Sequence, residues 1–247
     1  MKVNREILRD KYEKWWPISN AREERIKSLL EESLHTKVVP YGMGALSSER
    51  LTGSARDNGF ETADPDLYVE EYGCFVEVTG PLKPFIHPKD ALFVNPCKIK
   101  NARKKAQEGY DVWLVHVLDR KNVREQVLSV AGHLLPDEIR KEISDFCLTD
   151  SARCVLGRIC SLVEQGKAAP EDVADRVVYY YKRRRLYSPV CTEKSIVRCF
   201  LMDEKFALRF SVANVCVGRE KFVSVPSDYE GIMQFSDMVS VIKERKK

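Results

Sequence analysis

The sequence predicts an α/β protein, a mixed sheet flanked by helices, followed by an α+β C-terminal region. Three segments carry that prediction. Residues 20–35 hold Ile26, Leu29, Leu30 and Leu34 at helical spacing. Residues 65–79 alternate like two strands around the turn at Glu70, Glu71 and Gly73. The segment "YDVWLVHVLD" is so apolar that it reads as a strand buried on both faces, and the basic helix "CKIKNARKKAQEG" precedes it.

In chain order, "MKVNREILRDKYEKWW" reads as a short amphipathic helix ending near Pro17, with Ser19 or Asn20 capping the next. "TKVVPYGMG" reads as a strand entering a glycine turn. "ALSSERLTGSARDNGFETA" is a long polar loop, of a kind that in a compact domain is usually functional or mobile. After the 65–79 hairpin, "GPLKPFIHPKDALFVNP" reads as a second loop, rich in proline. Residues 121–185 are helical in pattern, with helix starts at Pro136–Asp137 and Pro170–Glu171. "KSIVRCFLMDEKFALRFSVANVCVG" reads as a hairpin turning at Asp203–Lys205, and a last helix runs from Ser227 or Asp228 to "IKERKK". The weakest joint, near residues 120–135, divides the chain into 1–120 and 121–247.

Composition bounds the function loosely. The 247 residues, 44% hydrophobic, suffice for one large domain, or for one domain and a smaller appendage. A net charge of +4, from 41 basic and 37 acidic residues, is too mild to argue for nucleic acid by itself. No apolar run reaches membrane-spanning length and no signal-peptide pattern opens the chain, so a cytoplasmic location is expected. The eight cysteines form no CxxC pair and lie mostly in apolar segments, which reads as free thiols acting as small hydrophobes.

The chemistry concentrates in "ADPDLYVEEYGCFVEVTG". Asp66 and Glu77 sit on opposite arms of the hairpin, where antiparallel pairing brings them together at one end of the sheet. Two such carboxylates repel unless a proton or a divalent cation intervenes. Mg²⁺ is commonly held by one or two carboxylates with water and substrate phosphate. Asp66 alone could be a turn residue following Pro65. Glu77 is harder to set aside, because an acid between Val76 and Val78 in a buried strand costs free energy unless paired.

"PDLYV…CFVEVTG" resembles the PD-(D/E)XK nuclease superfamily, and "EERIKSLLEE…KVVPYGMG" is similar to the first helix and strand of archaeal Holliday-junction resolvases. The resemblance covers roughly residues 20–118. It implies a restriction-endonuclease-like core, a Mg²⁺- or Mn²⁺-dependent endonuclease acting on DNA, and a homodimer, since a duplex or junction presents two strands to cut. It implies Asp66, Glu77 and Glu23 as metal ligands. Glu23 shares the inward stripe of Ile26 and Leu30, although an acid in a helix's first turn is ordinarily there for the dipole.

The departure is Thr79, which stands where the superfamily carries its lysine. That lysine orients the attacking water and neutralises charge in the transition state. A lysine reaching in from elsewhere would restore the function, and Lys98 or Lys100 is favoured over Lys83. Otherwise the metal acts alone, or the protein is a non-catalytic nucleic-acid-binding module on a degenerate nuclease fold. A phosphatase on another α/β scaffold ranks last, since no phosphate-cradling glycine loop is present. Expected backbone contacts are Arg50 and Arg56 in the polar loop and Lys104 and Lys105 on the basic helix. His116 reads as a satisfied core histidine, His87 as loop structure, and Tyr179–Tyr181 as a half-buried helix end.

Overall fold

The computed structural model describes residues 5–43, 45–46, 56–61, 63–81, 89–119, 123–145, 148–183, 195–217 and 220–245. The first strand, β1 (Val38–Pro40), follows a long helix, α1 (Arg5–Leu34). Strand β2 (Leu67–Val69) and β3 (Cys74–Thr79) form the hairpin, β4 (Leu92–Val94) follows, and helix α2 (Pro96–Gln107) leads into β5 (Asp111–Leu118). Then come α3 (Val123–Ala131), α4 (Asp137–Asp145), α5 (Asp150–Glu164), α6 (Pro170–Lys182), β6 (Ile196–Leu201), α7 (Glu204–Arg209), β7 (Val215–Val217), β8 (Glu220–Val225) and α8 (Phe235–Arg245).

A five-stranded mixed sheet runs in the order β1-β2-β3-β5-β6. The pairs β1–β2 and β2–β3 are antiparallel, while β3 and β5 are parallel with Thr79 opposite His116. The parallel pair needs a crossover, and β4 with α2 supplies it. On one face, Ile26, Leu30 and Leu34 of α1 and Met238, Val239 and Ile242 of α8 pack against Leu67, Val76, Trp113 and Val115. On the other, Phe75, Leu114 and Phe200 meet Ile99 and Ala102 of α2 and Phe206 of α7. Strands β4, β8 and β7 form a second, antiparallel sheet whose Leu92, Val94, Val223 and Val225 join that second core.

By its internal contacts the chain forms two compact units. The first comprises residues 1–80, 89–117 and 197–247, and the second 81–88 and 118–196. The second is helical as expected, with Val127, Leu148, Leu156, Val173 and Val177 in its own core. The chain leaves the first unit after Val117 and returns to it at Val197, where β6 completes that unit's sheet.

Four local expectations are corrected. The helix expected to end near Pro17 continues through it, because a proline deletes one hydrogen bond and can bend a helix without ending it. The hairpin expected at Asp203–Lys205 is instead β6 followed by α7. Asp203 caps that helix by accepting from the Phe206 amide at 2.7 Å, and Phe206 and Phe210 stack one turn apart. The proline-rich loop contains a short strand, β4, which pairs with β8. The last helix begins at Phe235, later than Ser227. The cysteines at 74, 97, 154, 160, 199 and 216 are free, with Cys74, Cys160 and Cys199 buried. No helix among the described residues is long and apolar enough to cross a membrane.

Candidate functional site

The hairpin places its two acids as the alternation requires. Leu67 pairs with Val76, and the same register continued by one residue sets Asp66 opposite Glu77. Leu67 and Val76 face α1, so Asp66 and Glu77 face the side covered by α2. Asp66 is tied at both ends. Its carbonyl accepts from the Tyr41 amide at 2.8 Å, and its Oδ2 accepts from the Val78 amide at 2.7 Å. Gly42 permits this crossing, because a Cβ there would lie 2.7 Å from the Pro65 carbonyl oxygen.

Glu77 is 1% exposed, and its Oε1 accepts from Lys98 Nζ. Asn95 and Pro96 start α2 at the place that aims Lys98 inward. The Asn95 side chain accepts from the Cys97 amide at 2.9 Å, and Pro96 fits the first turn. Buried Asn101, Ala102 and Lys105 follow Lys98 at three, four and seven residues, on the helix face that meets the sheet. The lysines of the basic helix therefore divide between two faces. Lys98 and Lys105 lie on the inward stripe, while Lys100 and Lys104 are exposed.

Glu23 comes to the same place from α1. It is 9% exposed, and its Oε2 accepts from the Leu46 amide at 2.9 Å, a residue held at φ 55°. Because α1 starts at Arg5, Glu23 is far from the helix N-terminus, and the dipole does not account for it. Burial pushes its carboxyl from 4.5 up to about 7, with the Asp66 charge adding to the rise and the Leu46 amide and Lys98 opposing it. Burial also raises Asp66, against the pull of Lys98 and the Val78 amide. Three acids from α1, β2 and β3 thus lie within one another's field or that of Lys98.

That field is what a hard divalent cation relieves. Oxygen donors of this kind suit Mg²⁺ or Mn²⁺, which need only one or two carboxylates besides water. Asp66 and Glu77 fit such an ion in kind and number, with Glu23 beside them. Among the described residues, no three His, Cys, Asp or Glu side chains stand close enough to ligate one ion directly.

The remaining candidates fall as follows. Thr79 is half-buried, on the Glu77 side of β3 and opposite His116. Lys104 pairs with Glu61 at 2.5 Å on the surface. Lys105 departs from the expected phosphate contact. Its ammonium donates to the Tyr41 hydroxyl at 3.1 Å and lies over the Tyr41 and Phe75 rings, so it supports the hairpin from inside. Arg50, Lys83 and His87 lie outside the described residues, and of Arg56 only the backbone is described, in a short 3₁₀ turn. Tyr180 is buried and the Tyr181 hydroxyl donates to Glu138, as expected of a half-buried helix end.

His116 is buried, and burial together with Arg198 and Arg22 pushes its imidazole from 6.5 down to about 3. Arg198, missed in the sequence reading, had the same signal as Glu77: a charge inside an apolar strand, "IVRCFL". Searches against protein-family models, curated proteins and solved structures return no match for this chain.

Proposed function

We propose that the protein is a Mg²⁺-dependent endonuclease of the PD-(D/E)XK type, with a restriction-endonuclease-like first unit and DNA as substrate. The observation that carries the reading is Lys98. The ammonium missing at position 79 is supplied from the first turn of α2 and rests on Glu77, whose hairpin partner is Asp66. A solvated lysine on a helix face has no reason to meet an acid that is 1% exposed.

In this reading Asp66 and Glu77 hold the metal and Glu23 stands behind them. When bound, the ion lowers the pKa of a water and offsets charge on the phosphoryl group. Val78 and Tyr41 fix Asp66 through its side chain and backbone, so that its carboxylate is oriented before substrate arrives. Lys98 has two tasks. Without substrate it neutralises Glu77, and with substrate its three N–H donors can turn to a phosphate oxygen or the attacking water. Glu23, with its raised affinity for a proton, can take the proton that water gives up. Lys104 would contact the DNA backbone from the outer face of α2, and two copies would cut two strands as a homodimer.

The test is metal-dependent cleavage of plasmid and branched DNA by wild type, Asp66→Asn and Glu77→Gln. The reading requires Mg²⁺- or Mn²⁺-dependent cutting that both variants lose. A wild type that binds DNA but never cuts would instead favour the non-catalytic module, with Lys98 serving only to neutralise Glu77.

A further inference from the structure

Beyond the acids, the same sheet face continues into a basic row. Thr79 on β3 stands opposite His116 on β5, and Arg198 lies on β6, the next strand. Leu114 and Phe200, two residues from His116 and Arg198, face the α2 side, so all three of Thr79, His116 and Arg198 share the face of Glu77. Arg198 Nη2 lies 3.3 Å from His116 Nδ1. A guanidinium can only donate, so Nδ1 accepts and the imidazole proton sits on Nε2. Arg22, adjacent in sequence to Glu23, reaches the end of β3, where its Nη1 is 2.9 Å from the place a Gly80 Cβ would occupy. All three basic side chains are buried: His116 is 5% exposed, Arg198 5% and Arg22 7%. Opposing them, the Asp90 carbonyl accepts from Arg198 Nη1 at 3.4 Å, and the Asp90 charge favours the Arg198 cation.

Two guanidinium groups and an N–H-donating imidazole, gathered from α1, β5 and the start of β6, make an anion site in chemistry. Adjacent strands are about 4.8 Å apart, so the row starts one strand from the acids and ends two strands away. We propose that Arg22, His116 and Arg198 form a phosphate subsite, which takes a phosphate next to the one held at Asp66 and Glu77. Its role in DNA rests on the nuclease reading, but the binding of phosphate does not. The glycine at position 80 leaves the space in which the Arg22 guanidinium approaches β3.

The test is titration of the full chain with inorganic phosphate at low ionic strength. It is followed by calorimetry and by the ring resonances of the four histidines. The expected result is one saturable site and a selective shift of His116. Arg198→Met should weaken phosphate by about tenfold or more, the loss of one charged hydrogen bond, and Arg198→Lys should fall between. Lys221→Gln, which removes the same charge from an exposed position on β8, should bind as wild type. The His116 shift needs no variant, so the test survives if Arg198→Met does not fold. Absence of saturable binding in wild type, an unmoved His116 resonance, or equal losses in Arg198→Met and Lys221→Gln would overturn the proposal. Cleavage plays no part in this readout, so failure of the nuclease reading and failure of the subsite appear in different experiments.

Discussion

Replacing Lys98 with methionine keeps the hydrocarbon stem and removes the ammonium. Glu77 is then left 1% exposed without its partner, while Lys98 itself is about a third exposed, 31% by side chain. A buried acceptor stripped of its donor costs about 1–3 kcal/mol, and water entering from the Lys98 side holds the loss to the lower half of that range. Turnover should respond more strongly. A donor aimed at the transition state is worth about a hundredfold to a thousandfold in rate, or about 3–4 kcal/mol. Urea melts give the first quantity, and single-turnover cleavage at saturating DNA with Mg²⁺ gives the second. The double variant Lys98→Met, Glu77→Gln restores a neutral pair, so it should recover stability without activity. Lys100→Met, on the exposed side of α2, should change neither by more than a small factor. Wild-type turnover in Lys98→Met would refute the reassignment of the missing lysine to α2.

The other expectations concern the surroundings of the site. Gly80→Ala puts a Cβ 2.1 Å from the Val117 carbonyl oxygen, where backbone must move, and a loss of about 1–3 kcal/mol or more in urea is expected. His116 has a folded pKa depressed from 6.5 to about 3, so the unfolded chain binds the proton more readily. Its contribution is full above pH 6.5 and disappears as pH falls toward 3, a difference of about 5 kcal/mol. His116→Gln should flatten that part of the acid-unfolding profile, and an unchanged profile would count against a buried neutral imidazole. Lys104→Gln should lower the slope of log affinity against log salt by about one unit, and Lys105→Gln should leave the slope alone while lowering the melting temperature. Equal slopes for wild type and Lys104→Gln would place Lys104 away from the DNA.

The mixed sheet was legible because its signals were local and redundant. Asp66 and Glu77 could be set on one face from strand alternation alone, and the observed register agrees. The apolar run of β5 announced its burial, and the stripe of Ile26, Leu30 and Leu34 announced α1. What escaped depends on tertiary context. Strand β4 is three residues long beside prolines and exists through its pairing with β8, far away in sequence. A hairpin and a β6–α7 corner share the same apolar residues, and only the Asp203 cap separates them. The basic run on α2 looked uniform by charge. The stripe of Lys98, Asn101, Ala102 and Lys105 separates inward from outward lysines, and its polar members hide it from a count of apolar residues. Arg22 and Arg198 bring their charge to bear on His116 from two other elements, at distances in sequence that no motif spans.

The most direct test of the central claim is the Mg²⁺ dependence of DNA cleavage by wild type and Asp66→Asn, measured on the same plasmid and branched substrates. The Asp66 side chain accepts from the Val78 amide, and its amide analogue preserves the shape and can still accept that bond. Wild type should cut with Mg²⁺ or Mn²⁺ and stop with chelator, while Asp66→Asn should fold, bind DNA at least as tightly and not cut. Cleavage by Asp66→Asn at the wild-type rate, or wild-type cleavage indifferent to chelator, would contradict the account.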